Sequence, residues 1–305
     1  MGSFLIRRLL LALLVIWGVS TIVFGLLHLS GDPTLLLVPP GAPAEAIELL
    51  RHQFGFDQPL WLQYGHFLWG LVHGDLGVSL VQNRPALEIV LERLPATMQL
   101  GGAALLLAMG VGVPVGIASA VFRGSLLDRL GMFFALLGQA LPPFWLGLIL
   151  ILFLAVRHRI FPPSGADTWL HLVLPAVTLG VLSMATFARM TRSAYLEEAR
   201  KDYVRTAKAK GATRARVIFG HLLRNAAIPV ITTIALNVAN LLGGAVVTET
   251  IFAWPGIGRL MIDSISARDY PLVQAVVLVG SVVYVLASTL ADVLYSLVDP
   301  RIRME

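Results

Sequence analysis

The sequence predicts an all-α, polytopic membrane protein with six transmembrane helices and both termini on the cytoplasmic side. Three observations predict it. First, of 305 residues 57% are apolar and only 13% are charged, with a mean hydropathy of +0.79. Soluble chains carry about 25% charged residues, so there is too little polar material here to cover a water-facing surface. An ordinary cytosolic enzyme and a disordered chain are both excluded. Second, six apolar stretches approach the roughly 20 residues that a helix needs to cross the hydrocarbon core. Third, Lys and Arg are divided unequally between the connecting segments.

The stretches run over about 9–29, 98–122, 131–156, 172–190, 228–248 and 273–297. The first follows Arg7 and Arg8. Its apolar run exceeds the roughly 7–15 residues of a signal-peptide core and no small-residue cleavage site follows, so it reads as a retained helix. With the N-terminus inside, 16 of the 23 Lys and Arg residues fall on the cytoplasmic side, and 11 of the 18 acidic residues fall outside. The opposite orientation inverts this bias. The net charge of +5 is therefore read as cytoplasmic loop charge, not as a nucleic-acid surface. The chain divides into an N-terminal helix (1–30), an external segment (31–96) and a core of five helices (97–305). That core holds a cytoplasmic loop at 191–227 and an external loop at 249–272.

In the external segment, periodicity predicts helices over 43–53, from Asp57 as N-cap with Pro59 in the first turn to about Val72, and over 85–94. His66 and His73 share that second helix at a spacing of seven, which does not suit a metal pair, and no metal site is expected. The cytoplasmic loop is helix-prone from Ser193 to Lys210, and a second amphipathic run follows from Thr213 to Asn225. Gly211 between them supplies the left-handed turn that ends a helix without a Cβ penalty. This basic segment suits either an anionic lipid surface or a cytoplasmic partner. In the loop 249–272, Trp254-Pro255-Gly256 with Gly258 predicts a tight turn dipping back toward the membrane. Non-helical backbone at that depth needs protein shielding or a cavity.

Several activities lack their residues. There is no phosphate-binding loop and no Gly-Lys pair. There is no cysteine, which removes disulfides and thiolate sites. No catalytic constellation lies within the spans. Ion-coupled carriers bury ionisable groups near the midplane, and only Asp292 is a candidate, near the cytoplasmic end of the last span where Arg301 or water is in reach. Asn237, Asn240 and Gln139 are polar but uncharged; each can line a path or hydrogen-bond a neighbouring helix. Energy for any transport is therefore expected from another chain.

The run DYVRTAKAKGATRARVIFGHLLRNAAIP (202–229) resembles the EAA loop of type I ABC-importer permeases, and is most similar to that of the dipeptide/oligopeptide/nickel branch. The family's Gly falls on Gly211. The Glu-Ala-Ala positions fall on Arg205, Thr206 and Ala207, and the general motif's Pro on Arg224. Both departures are usual in that branch. HLSGDP (28–33), FDQPLWLQYGHFLWGLVHGDLG (56–77), ETIFAWPGIGRL (249–260), RDYP (268–271) and DPRIR (299–303) are similar to family motifs, whereas Arg157, His158 and Arg159 stand where milder residues are expected.

The resemblance implies the type I importer permease fold. It implies ATPase coupling through Arg205, Thr206, Ala207, Lys208, Gly211, Ala212, Arg214 and Arg216. It implies a binding-protein contact or gate at Phe252, Trp254, Pro255, Gly256, Gly258, Arg268 and Asp269; Asn237, Asn240 and Gln139 remain pathway candidates on their polar chemistry alone. Its implied partners are a second homologous permease, two cytoplasmic ATPases and an external solute-binding protein, in a prokaryotic plasma membrane. This chain would hold no cofactor, because ATP and Mg belong to the ATPases. A stand-alone channel or secondary carrier, and a membrane-bound enzyme, are the readings from other classes. Dipeptides, longer peptides, glutathione and chelated nickel are all open as substrates.

Overall fold

The computed structural model describes residues 2–29 and 43–298. Among those residues helix is the only extended regular structure, and an isolated antiparallel bridge, Val78 to Pro85, is the only extended pairing. In order, the helices are α1 (Gly2–Leu29), α2 (Ala44–Phe54), α3 (Leu60–His73), α4 (Ala86–Val121), α5 (Leu126–Ala140), α6 (Pro143–Leu150), α7 (Leu170–Glu198), α8 (Asp202–Ala209), α9 (Leu223–Ile251), α10 (Ile257–Ser266) and α11 (Tyr270–Val298). A π-helical stretch, Ile151–Arg157, continues α6, and another, Arg216–Leu222, precedes α9.

Four of these segments are long and apolar enough to cross a membrane: Ala86–Val121, Leu170–Glu198, Arg216–Leu241 and Tyr270–Ala291. The predicted third span is not one straight helix. It breaks between α5 and the α6 arm with a bend of 106°. Pro142 and Pro143 are the cause: a proline disfavours helical backbone in the residue before it, so Leu141 and Pro142 are both extended, with ψ of 127° and 132°. Counted as one span, the bent pair gives a fifth, and α1 carries a shorter apolar run, Leu10–Leu26.

Four further boundaries differ from expectation. The predicted helix 85–94 is the first part of α4 and not a separate element. The predicted helix from Ser193 to Lys210 is split: its first part extends α7, and a turn at Arg200–Lys201 precedes α8. The amphipathic run after Thr213 runs on into α9 without a break. Asp57 does not cap α3, whose N-cap is Pro59 with no side-chain bond; its carboxylate lies 3.2 Å from His52 Nδ1 instead. Residues 30–33 of HLSGDP, the terminal DPRIR and Arg301, the expected partner of Asp292, lie outside the described residues.

The described residues form two compact units, one within Thr97–Trp254 and from Tyr284 on, the other within Gly2–Ala96 and Pro255–Val283. In the first, small residues recur every fourth position along α4: Ala104, Ala108, Gly112, Gly116 and Ala120. A Cβ on Gly116 would stand 2.4 Å from the Ala188 carbonyl, and one on Gly112 would stand 2.5 Å from that of Met184. Glycine is what lets α4 and α7 meet backbone to backbone, as small residues do in apolar surroundings. Against α7 also lies the start of α5, where Arg192 grips Asp128 through Nε (2.7 Å) and Nη2 (3.0 Å). Gly124 N–H donates to the same carboxylate, and Ser125 caps the helix.

In the second unit α1 meets α3 through Phe24, Tyr64 and Phe67. The first turns of α4 (Ala86, Ile89, Val90) share a buried cluster with Leu260 of α10 and with Leu272, Ala275 and Val276 of α11.

Candidate functional site

The basic loop of the first unit is built around α8. Val204 is fully buried, and it joins Ala194, Tyr195, Val217 and Leu222 in one core cluster, with Tyr203, Ala207 and Ala212 packed at its edge. The spacing of Tyr203, Val204 and Ala207 puts these three on one face of a helix. The opposite face is exposed and carries Lys201, Arg205, Thr206, Lys208 and Lys210. Arg214 and Arg216, which follow the turn, are exposed as well. The sole acidic residue on that helix, Asp202, lies 3.6 Å from Arg205, a solvent-exposed pair of little energetic weight.

Both ends of α8 are fixed. At its start the Glu198 carboxylate accepts from Lys201 Nζ (2.5 Å) and from the Tyr203 hydroxyl (2.6 Å). That carboxylate holds the Lys201 ammonium above the usual lysine range, and burial, then Glu198, pushes the Tyr203 phenol up. At its end Gly211 N–H donates to Lys208 O (3.0 Å) and Ala212 N–H to Ala207 O (3.1 Å). This pair of bonds, with Gly211 at φ 78°, is the Schellman closure. Bulk plays no part: a Cβ on Gly211 would meet nothing within 4 Å. Only the backbone angle requires glycine.

The turn after α9 is a buried structure. Phe252 and Trp254 are 1% and 2% exposed, and Phe252 packs with Ala155 and Leu174. Ala253 between them is left-handed, at φ 51°. One turn earlier, fully buried Glu249 accepts from Thr97 Oγ1 (2.6 Å). In the second unit Gly256 and Gly258 are buried and Pro255 half-buried at the start of α10, while Arg268 is exposed at φ 49°. Asp269 is 1% exposed. Its oxygens accept from Ser79 Oγ, from Leu80 N–H (3.1 Å) and Val81 N–H (3.4 Å), and from Leu272 N–H (3.3 Å). It ties the loop at residues 79–81 to the first turn of α11. The expected loop at 249–272 is therefore a buried turn, a helix, and a second turn that is exposed up to Arg268 and anchored by buried Asp269. Of its candidate contact residues, Arg268 alone is exposed.

Asn237 on α9 is half-buried and donates to Thr233 O of its own helix (2.8 Å), while Asn240 is exposed. Gln139 is exposed on α5. Sequence reasoning missed the Glu198 clasp, the Arg192–Asp128 pair and Glu249–Thr97, whose partners lie as far as 152 positions apart. Only Glu198, three residues before Lys201, left a local trace.

The fold is that of an all-helical membrane transport subunit with one exposed basic helix. Residues 112–304 match the family described as binding-protein-dependent transport system inner membrane component, and residues 1–101 match its N-terminal companion family. The chain belongs to this family and is an inner-membrane protein. It is 40% identical to the dipeptide transport system permease protein DppB of Escherichia coli K12, over 99% of both chains. It is 42% identical to the glutathione transport system permease protein GsiC of Escherichia coli O6:H1, again over 99% of both. A solved structure of the MetNI methionine ABC transporter in inward-facing form shares the fold at a TM-score of 0.56 and 17% identity, covering 69% of this chain and 96% of that one.

Proposed function

We propose that the chain is a permease subunit of an ATP-driven, binding-protein-dependent importer of short peptides. The observation that carries this reading is the full-length likeness to permeases named for a dipeptide and for glutathione, itself a peptide. Within the complex the chain spans the membrane six times, α1 included, with both termini inside. It pairs with a second homologous permease, and an external binding protein delivers the solute. The chain itself catalyses no reaction; ATP and Mg are held by two cytoplasmic ATPases.

In this reading α8 is the coupling helix. Its exposed face of Arg205, Thr206, Lys208 and Lys210, with Arg214 and Arg216 beyond the turn, seats on an ATPase. Its buried face carries the push inward, because Glu198 joins it to α7 and Val204 shares a core cluster with Val217 of the π-helical stretch that leads into α9. The exposed Asn240 with Asn237 on α9, and Gln139, line the path. The turn at Phe252–Trp254 in one unit and the Asp269-anchored turn in the other each support a binding-protein contact or a gate on the outer side.

The test is charge reversal, Lys208→Glu with Lys210→Glu, in the complex reconstituted with its ATPases. Peptide uptake falls at least tenfold, while the chain inserts and melts as before. Undiminished uptake refutes the coupling role. Uptake by the lone chain in vesicles refutes the importer reading in favour of a channel or carrier.

A further inference from the structure

The end of the α6 arm carries three consecutive cationic or titratable side chains, Arg157, His158 and Arg159, all exposed. Among the described residues neither arginine forms an ion pair, and the one acidic residue of the following loop, Asp167, lies beside His171 at 3.9 Å. The arm that leads into them is apolar and uncovered, with Leu152, Phe153 and Val156 each more than half exposed. Beyond them Ile160 (56% exposed) and Trp169 (74%) also point outward.

The depth of this cluster is fixed by its neighbours. Ala155 is buried with Leu174, in the second turn of α7, and with Phe252, the residue that ends α9. Gly165 N–H donates to Phe252 O (3.0 Å). The arginines thus sit level with the ends of two long apolar helices, where hydrocarbon gives way to headgroups. An exposed Trp is at home at that level, and guanidinium forks match phosphate oxygens in pairs. We propose that Arg157, His158 and Arg159 form a site for the phosphate of an anionic phospholipid, whose acyl chains run along Leu152, Phe153 and Val156.

The site is separate from the coupling helix and needs no partner chain, so it can be tested on the full-length protein in lipid nanodiscs. The chain has no cysteine, so Ile160→Cys gives a single attachment point for a fluorophore. Quenching is compared between headgroup-spin-labelled phosphatidylglycerol and phosphatidylcholine. Phosphatidylglycerol quenches preferentially, and its apparent affinity falls about fivefold for each arginine replaced by glutamine, the effect of one cation at an anionic membrane surface. Arg157→Lys with Arg159→Lys keeps most of the preference, and Lys201→Gln with Arg205→Gln leaves it unchanged. Equal quenching by the two lipids overturns the site, as does a preference that survives loss of both arginines. Displacement by millimolar inorganic phosphate at constant ionic strength assigns the cluster to soluble anions and overturns the lipid.

Discussion

The turn at Gly211 and the turns at Ala253 and Arg268 share one hydrogen-bond pattern and are held by different forces. In each, the left-handed residue donates to a carbonyl three positions back and the next residue to one five back. Ala253 N–H reaches Thr250 O and Trp254 N–H reaches Glu249 O; Arg268 N–H reaches Ile265 O and Asp269 N–H reaches Ser264 O. Gly211 adopts its φ of 78° in open space at no steric cost. Ala253 and Arg268 carry a Cβ at φ 51° and 49°, which costs about 1–2 kcal/mol each. Such strain persists only where the surroundings over-determine it. Phe252 and Trp254 supply that constraint on either side of Ala253, and the bonds to Asp269 supply it after Arg268. The Gly211 turn is encoded in one residue, whereas the Ala253 turn is encoded by what packs around it and the Arg268 turn by what bonds to the residue after it.

The strongest way to break this comparison is to empty the packing. Phe252→Ala or Trp254→Ala loses about 3–5 kcal/mol and releases Ala253 from the left-handed region, read by thermal unfolding in detergent. Melting equal to that of the parent would show that the turn holds itself. Asp269→Asn comes next. It places an amide N–H₂ against donors at Leu80 and Val81 and costs about 2–3 kcal/mol, the loss of charged hydrogen bonds in a buried place. If the variant kept full stability, the network would be incidental.

Gly211→Val has a smaller thermodynamic effect, about 1–2 kcal/mol confined to the loop, but a large effect on uptake per ATP hydrolysed. Gly211→Asn, which tolerates the left-handed region, restores much of that uptake. Equal uptake by the two variants would show that φ is not the requirement. The smallest effect is expected for Ala253→Gly, which stays within about 1 kcal/mol of the parent, because relief of strain is offset by a freer unfolded chain. The clasp at the start of α8 is insensitive to pH near neutrality. Lys201 is held above its ordinary range, so the stabilisation is complete below the unfolded lysine value and is lost only as pH rises through the higher folded one. An uptake-to-hydrolysis ratio that changed with pH near neutrality, and did so only while Glu198 was present, would contradict this.

Much of the fold was legible because its signals are local. Runs of about 20 apolar residues mark a span wherever they occur, and Gly211 marks a helix end without reference to anything distant. The 106° break at Pro142–Pro143 was local too, and was overlooked because hydropathy continues across it unchanged. The exposed basic face of α8 was readable from charge. Its buried face was less so, since Val204 and Ala207 are unremarkable in sequence and acquire meaning only when Tyr195 and Val217 arrive against them.

The sequence by itself determined that the chain is helical, enters the membrane, turns at Gly211 and carries its family's motifs, because composition, period and glycine act over a few residues. The tertiary structure alone decided which of those motif residues are surfaces and which are supports. Phe252, Trp254 and Asp269 look like contact residues in a loop and prove to be buried. Burial is set by chain segments more than a hundred positions away, as Asp269 is by Ser79, and no local pattern encodes that distance.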